Sequence, residues 1–288
     1  MQRREFLIRS ATGIGAAWLS SKAILDAIAS QPSVGKFSAT DTVTLGSTGI
    51  KTSRLAMGTG TVGFNHHSNQ SALGVKGLSD LLLNGHDQGL RFFDAADSYG
   101  SHPGVAEALK HLQRDKVTVI SKSWARDPAT ARADLDRFRR ELGTDYLDVC
   151  LMHCVTEPDW TTRYRGVMDV FEDAKQKGII RAHGCSCHSI EALRAAAKSP
   201  WVEVDFARIN PIGSHMDADP ATVIAVLREM KAAGKAVVGM KILGQGDLAT
   251  RQDEAIKYAL SLGILDAFTI GAESKSQQQD LMRRIASA

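Results

Sequence analysis

From about residue 53 onward, short runs of β-branched and other apolar residues alternate with longer stretches whose apolar positions recur at helical spacing. Eight runs read as strands: 53–60 (SRLAMGTG), 91–96 (RFFDAA), 116–122 (KVTVISK), 146–153 (YLDVCLMH), 179–185 (IIRAHGC), 202–208 (VEVDFAR), 236–243 (AVVGMKIL) and 266–271 (DAFTIG). Between them, PATARADLDRFRREL sets Ala133, Leu135, Phe138 and Leu142 on one face. DPATVIAVLREMKAAGK opens with Pro220 after Asp219, a good helix start. Eight such βα units in roughly 250 residues predict a (β/α)8 TIM barrel. The segment TVTLGSTGIKTS, 42–53, carries Gly46 and Gly49 at turn positions and reads as a β-hairpin plugging the bottom of the barrel. No Pro-, Gly- or Ser-rich linker divides this region, so 41–288 reads as one barrel domain. Barrel interiors are packed, which places any chemistry in the loops after the strand C-termini.

Composition narrows the classes. Of 288 residues, 43 % are hydrophobic and 23 % charged, as in a globular chain large enough for a sizeable core. The net charge of +3, with no Lys/Arg run interleaved with aromatics, excludes a nucleic-acid surface. The N-terminus differs from the rest. Arg3 and Arg4 precede Phe6 and Leu7, a modestly apolar stretch follows, and Ala27-Ile28-Ala29 offers a small-residue cleavage site. That order reads as a twin-arginine signal peptide over 1–29, followed by a linker over 30–40; the expected compartment is the periplasm or another exported location. Lys22 and Asp26 interrupt the apolar run, so no stable membrane span is expected. Removal of 1–29 leaves about +1, which points to no strong electrostatic partner for the mature protein; the signal itself implies the twin-arginine export machinery as a partner.

The GTGTVG stretch, 58–63, matches GxGxxG after a strand, yet the following FNHHSNQSALG reads as a loop where a dinucleotide-binding motif needs a helix. Strand ends carry the stronger signal. Asp94 closes the second strand with Tyr99 just beyond it, Lys122 closes the third, and His153 closes the fourth. Adjacent barrel strands lie about 4.8 Å apart, so the four side chains converge on one rim. A phenol beside an ammonium is a competent proton donor, Asp94 would orient Lys122, and His153 would hydrogen-bond a carbonyl oxygen. Singly, each has a plain structural use, as a helix cap, a solvated strand end or a packing group.

These residues resemble the aldo-keto reductase family over essentially the whole chain after residue 40. LGSTGIKTSRLAMGTG resembles its hairpin and first strand, DAADSYG its DxAxxYG motif, and RELGTDYLDVCLMH its LGxDYxDLxLxH. KGIIRAHGCS resembles GKIRxxGxS, and FTIGAESKSQQ the phosphate-binding stretch after the last strand. The resemblance implies NADP (NADPH) extended across the C-terminal face, a small-molecule carbonyl substrate, and a catalytic tetrad of Asp94, Tyr99, Lys122 and His153. It implies cofactor contacts at Gly58, Thr59, Asp94, Ser186, Lys241, Gly244, Gly271, Ser274 and Lys275. Other family positions differ: the carboxamide-gripping Asn is Cys187, the strand-six Gln is Phe206, the stacking Tyr is Ile209, and the late acidic-Asn pair is Asp280-Leu281. An alternative is therefore a non-catalytic barrel that binds or scaffolds.

Cys150, Cys154, Cys185 and Cys187 are too few and unevenly spaced for a disulfide framework. A third reading, a metal-dependent barrel using Cys154, Cys185, Cys187 and His188, has no CxxC spacing behind it, so small buried residues and no metal are expected; His66-His67 reads as a loop pair. Trp160 and Tyr164 are candidate pocket walls.

Overall fold

The computed structural model describes residues 37–288; the expected signal and all but the last four residues of the linker lie outside the described part. The compact unit starts at Phe37, ahead of the expected boundary at 41. Ala39 is buried and its carbonyl accepts the Leu55 N–H at 3.0 Å, tying this segment to the first barrel strand.

A hairpin of β1 (Thr42–Thr44) and β2 (Lys51–Ser53) pairs antiparallel, Val43 opposite Thr52. Eight parallel strands follow: β3 (Leu55–Gly58), β4 (Phe92–Asp94), β5 (Thr118–Ser123), β6 (Leu147–Val155), β7 (Ile180–Cys187), β8 (Val204–Arg208), β9 (Ala236–Met240) and β10 (Ala267–Ile270). They close in sequence order, β10 pairing back onto β3, which is the (β/α)8 barrel the alternation predicts. Each lies in or overlaps its predicted run, with β6 and β7 extending two residues further. The helices are α1 (Gly74–Asp87), α2 (His102–Leu109), α3 (Pro128–Leu142), the short α4 (Trp160–Arg163), α5 (Arg165–Gln176), α6 (Ile190–Lys198), α7 (Pro220–Ala232), α8 (Gln252–Ser261) and α9 (Lys275–Ala286). The Asp127 carboxylate accepts the Thr130 N–H at 2.9 Å to open α3, and Asp219 accepts that of Thr222 at 3.0 Å to open α7; Pro follows each cap.

Two-residue alternation along the strands divides the core. Ala56, Phe92, Ile120, Val149, Leu151, Ala182, Val204, Phe206 and Val238 fill the lumen, while Phe93, Val119, Cys150, Met152 and Cys185 pack outward against the helices. Leu45 and Ile50 belong to the lumen cluster, and Ser47 N–H donates to Gly234 O at 2.8 Å just before β9 begins. The hairpin therefore closes the N-terminal end of the barrel, as expected. After β3 the chain runs as loop to a 3-10 turn at Ser71–Leu73, and α1 opens only at Gly74. GTGTVG thus lacks the helix a dinucleotide-binding motif requires.

Candidate active site

The C-terminal rim of β4, β5 and β6 gathers the four predicted residues. Lys122 is 1 % exposed; its ammonium donates to Asp94 Oδ1 and, at 3.0 Å, to the Ala95 carbonyl. The second oxygen of Asp94 accepts from Thr269 Oγ1 on β10 at 2.8 Å, so both carboxylate oxygens are held. The Lys122 ammonium stands 4.8 Å from the centre of the Tyr99 ring and 5.1 Å from that of Phe206. His153 meets Tyr99 edge to face at 5.7 Å, and Trp124 tilts over the imidazole at 5.1 Å. The buried Nδ1 of His153 has no hydrogen-bond partner among the described residues.

Tyr99 ends a 3-10 turn, Asp97–Tyr99, rather than an open loop. Arg137 of α3 forks onto Asp97 at 2.6 and 2.9 Å, fixing the turn from below. Gly100 leaves it at φ 64°, with the His66 carbonyl where a Cβ would stand. A Cβ at Gly60 or Gly63 would run into the Tyr99 ring. GTGTVG is thus the flat bed on which the tyrosine lies. The sequence showed the glycines but not this use.

Burial pushes the Tyr99 phenol above its ordinary value, and Lys122 draws it only part of the way back. The phenol is therefore held protonated, the state a proton donor needs. Burial opposes the charge on Lys122, yet Asp94 and Tyr99 together raise it, so it stays an ammonium. Burial, reinforced by Lys122, His188, Arg126 and Lys241, takes His153 well below the usual range. At neutral pH the rim holds a neutral phenol, a neutral imidazole and a fixed ammonium.

The Aldo/keto reductase family model matches residues 54–261. The chain belongs to this family. It is 29 % identical over 159 residues to a (1S)-1,7-diacetoxy-luvungin A aldo-keto reductase of Citrus sinensis, covering 47 % of this chain and 50 % of the relative. It is 28 % identical over 175 residues to an NADH-specific methylglyoxal reductase of Escherichia coli, covering 53 % of each. The chain spans about half the length of these curated relatives. The holo form of a Bacillus halodurans aldo-keto reductase superposes with a TM-score of 0.71 at 18 % identity, covering 85 % of this chain and 91 % of that one, which supports the fold.

Within the aldo/keto reductase frame, several expected cofactor contacts do structural work. Thr59 is fully buried, its N–H and hydroxyl both directed at the Asp94 carbonyl, at 3.0 and 2.8 Å. A Cβ at Gly58 would press on Thr269, and one at Gly271 would meet Thr61 and Gln70, so neither faces an open cradle. Ser186 Oγ accepts the Cys154 N–H at 3.0 Å and keeps its own proton to donate. Lys241 is half-buried, in the left-handed region at φ 58°, with no carboxylate partner among the described residues. Burial, then Arg208 and Lys122, lower its pKa. Gly244 turns beside it at φ 56°. Ser274 caps α9 by accepting the Gln277 N–H at 3.2 Å, and Lys275 lies exposed at the first turn. Lys241 and this helix start are the residues that could hold the anionic part of a nicotinamide cofactor, whereas Ser186 is fully buried.

Other expectations shift. Cys187, Ile209 and Leu281 are buried in the outer core. Phe206 does face the lumen, beneath Lys122. Trp160 is fully buried against Trp201, and the buried Tyr164 donates to Glu157, so they are not pocket walls. The exposed large apolar residues Val62, Phe64, Trp124 and Ile212 sit in loops after β3, β5 and β8, giving the rim an apolar mouth that the sequence reading missed. Trp124 was findable two residues past Lys122. The quartet Cys154, Cys185, Cys187 and His188 does not assemble: Cys154 pairs with His188 Nδ1 at 3.0 Å, while Cys185 and Cys187 face the other way.

Proposed function

We propose that the protein reduces a small aldehyde or ketone, or oxidises the corresponding alcohol, with Tyr99 as general acid/base. The carrying observation is the convergence of Tyr99, Lys122, Asp94 and His153 at one barrel rim. Bound nicotinamide supplies or accepts the hydride. Tyr99, held protonated, gives its proton to the carbonyl oxygen. Lys122, fixed by Asp94, stabilises the phenolate left behind, and neutral His153 offers a ring N–H to the same oxygen. The apolar mouth around Trp124 excludes water from that transfer.

NADP(H) is the proposed coenzyme, on the strength of Lys275 and the Ser274 and Ser276 hydroxyls at the start of α9. Glu273, exposed beside them and accepting from Asn69 at 2.6 Å, favours NADH instead, since a carboxylate there repels a second phosphate. We further propose that residues 1–29 direct export, as Arg3, Arg4 and the small residues before Ser30 suggest.

Steady-state assays with NADPH and NADH against an aldehyde panel that includes methylglyoxal test the reading. Turnover is expected, with Tyr99→Phe slower by about 10²-fold or more and coenzyme binding retained. Absence of nucleotide binding by calorimetry would instead establish the non-catalytic barrel.

A further inference from the structure

Behind the rim, on the outer face of the barrel, Cys185 and Cys187 project from β7 and Asp205 from β8, all three fully buried. The two Sγ atoms lie 3.7 Å apart, and Cys185 Sγ lies 3.5 Å from Asp205 Oδ1. Their ligand atoms all fall within 4.8 Å of one another. Tetrahedral zinc, with Zn–S near 2.3 Å and Zn–O near 2.0 Å, requires S···S edges of about 3.8 Å and S···O edges of about 3.5 Å. The Cys185–Cys187 and Cys185–Asp205 edges match these spacings. Asp205 Oδ2 is buried and has no hydrogen-bond partner among the described residues. A buried carboxylate oxygen left alone is costly, and an ion would satisfy it.

We propose that Cys185, Cys187 and Asp205 form a buried structural site for a thiophilic divalent cation, zinc. Two thiolates and a carboxylate are a donor set suited to zinc, and they supply three of the four donors of a tetrahedral ion. Because every ligand is buried, the ion enters as the barrel folds and exchanges slowly. It joins β7 to β8 directly behind Ser186, and its role is to hold that strand end in place rather than to take part in the reaction. Metal binding displaces the protons of the two thiols and the carboxyl. Lys235 offers the nearby positive charge: its ammonium, held by the Ser199 and Val202 carbonyls, is felt by both Cys185 and Asp205.

The test is elemental analysis of full-length protein produced in zinc-supplemented medium, with cobalt substitution during refolding. One zinc per chain is expected, and the cobalt form should show thiolate-to-metal charge transfer and the intense visible bands of a tetrahedral ion. Asp205→Asn should weaken cobalt binding by at least about tenfold, and Cys187→Ser should weaken the charge-transfer band. Cys150→Ala, altering a buried cysteine outside the cluster, should leave both unchanged. If either ligand variant fails to fold, the cobalt spectrum of the unaltered chain still reports whether thiolates bind. Sub-stoichiometric metal under both loading routes, a cobalt spectrum without thiolate bands, or equal loss in Cys150→Ala would each overturn the proposal. None of these readouts depends on turnover.

Discussion

The protonation states at the rim make the pH dependence a residue-level prediction. Tyr99 has its pKa raised, so in the carbonyl-reducing direction the proton donor stays loaded through neutral pH and is lost only as pH rises beyond the ordinary phenol range near 10. The pKa of His153 is lowered by burial first and by its cationic neighbours second, so the imidazole stays neutral. Reductive kcat/KM is therefore expected to be flat from about pH 5 to pH 8, with no histidine inflection. A pH–rate profile with a step near 6.5 would show that His153 titrates in the working range. Gly60 supplies a second residue-level test. Gly60→Ala places a methyl against the Tyr99 ring, which must then move off Lys122. A fall of about tenfold or more in kcat, with coenzyme affinity kept, is expected, along with about 1–3 kcal/mol of overpacking cost. Unchanged kcat would show that the ring shifts without losing its alignment. At Glu273, Glu273→Ser removes the carboxylate from the α9 start and should raise the NADPH-to-NADH ratio of kcat/KM several-fold. An unchanged ratio would place the second phosphate elsewhere.

Elements, more than single residues, decided what could be read in advance. Asp94, Lys122 and His153 were legible because two rules act together: alternate residues of a strand face the lumen, and the last lumen position opens at the C-terminal rim. The same parity puts Ser186 inward and Cys185 and Cys187 outward. Trp124 and Ile212 were hidden for another reason. They sit on loops, whose paths depend on neighbours distant in sequence and leave no periodicity. Asp205, an acid within VEVDFAR, was visible, but its pairing with Cys185 depends on the β7–β8 register. The hairpin was predicted as a plug, and its energetic share is testable. Ile50 is wholly buried in the lumen cluster, so Ile50→Ala should cost about 2–5 kcal/mol in urea unfolding, with the activity of the folded fraction retained. A loss below about 1 kcal/mol would mean that the plug contributes little to barrel stability.

At the scale of the whole molecule, barrel closure is complete within residues 37–288, from the Ala39–Leu55 link to the pairing of β10 with β3. A chain beginning at Phe37 therefore contains the strand pairing that closes the barrel among the described residues, and it is expected to unfold cooperatively on its own. The proposed export role of the paired arginines is tested separately. If residues 1–29 act as an export signal read on folded cargo, Arg3→Lys with Arg4→Lys should hold the protein on the near side of the membrane while leaving its folding and any turnover unchanged. Cell fractionation and thermal unfolding of the purified variant measure the two halves separately. Full export of the double-lysine variant would assign the arginine pair to something other than targeting. A lower Tm without any change in location would mean that the segment belongs to the fold. Among the described residues no helix is long and apolar enough to cross a membrane. If residues 1–29 are the export signal, a chain beginning at Phe37 should also stay on the near side of the membrane, and its export in the same fractionation would assign targeting elsewhere.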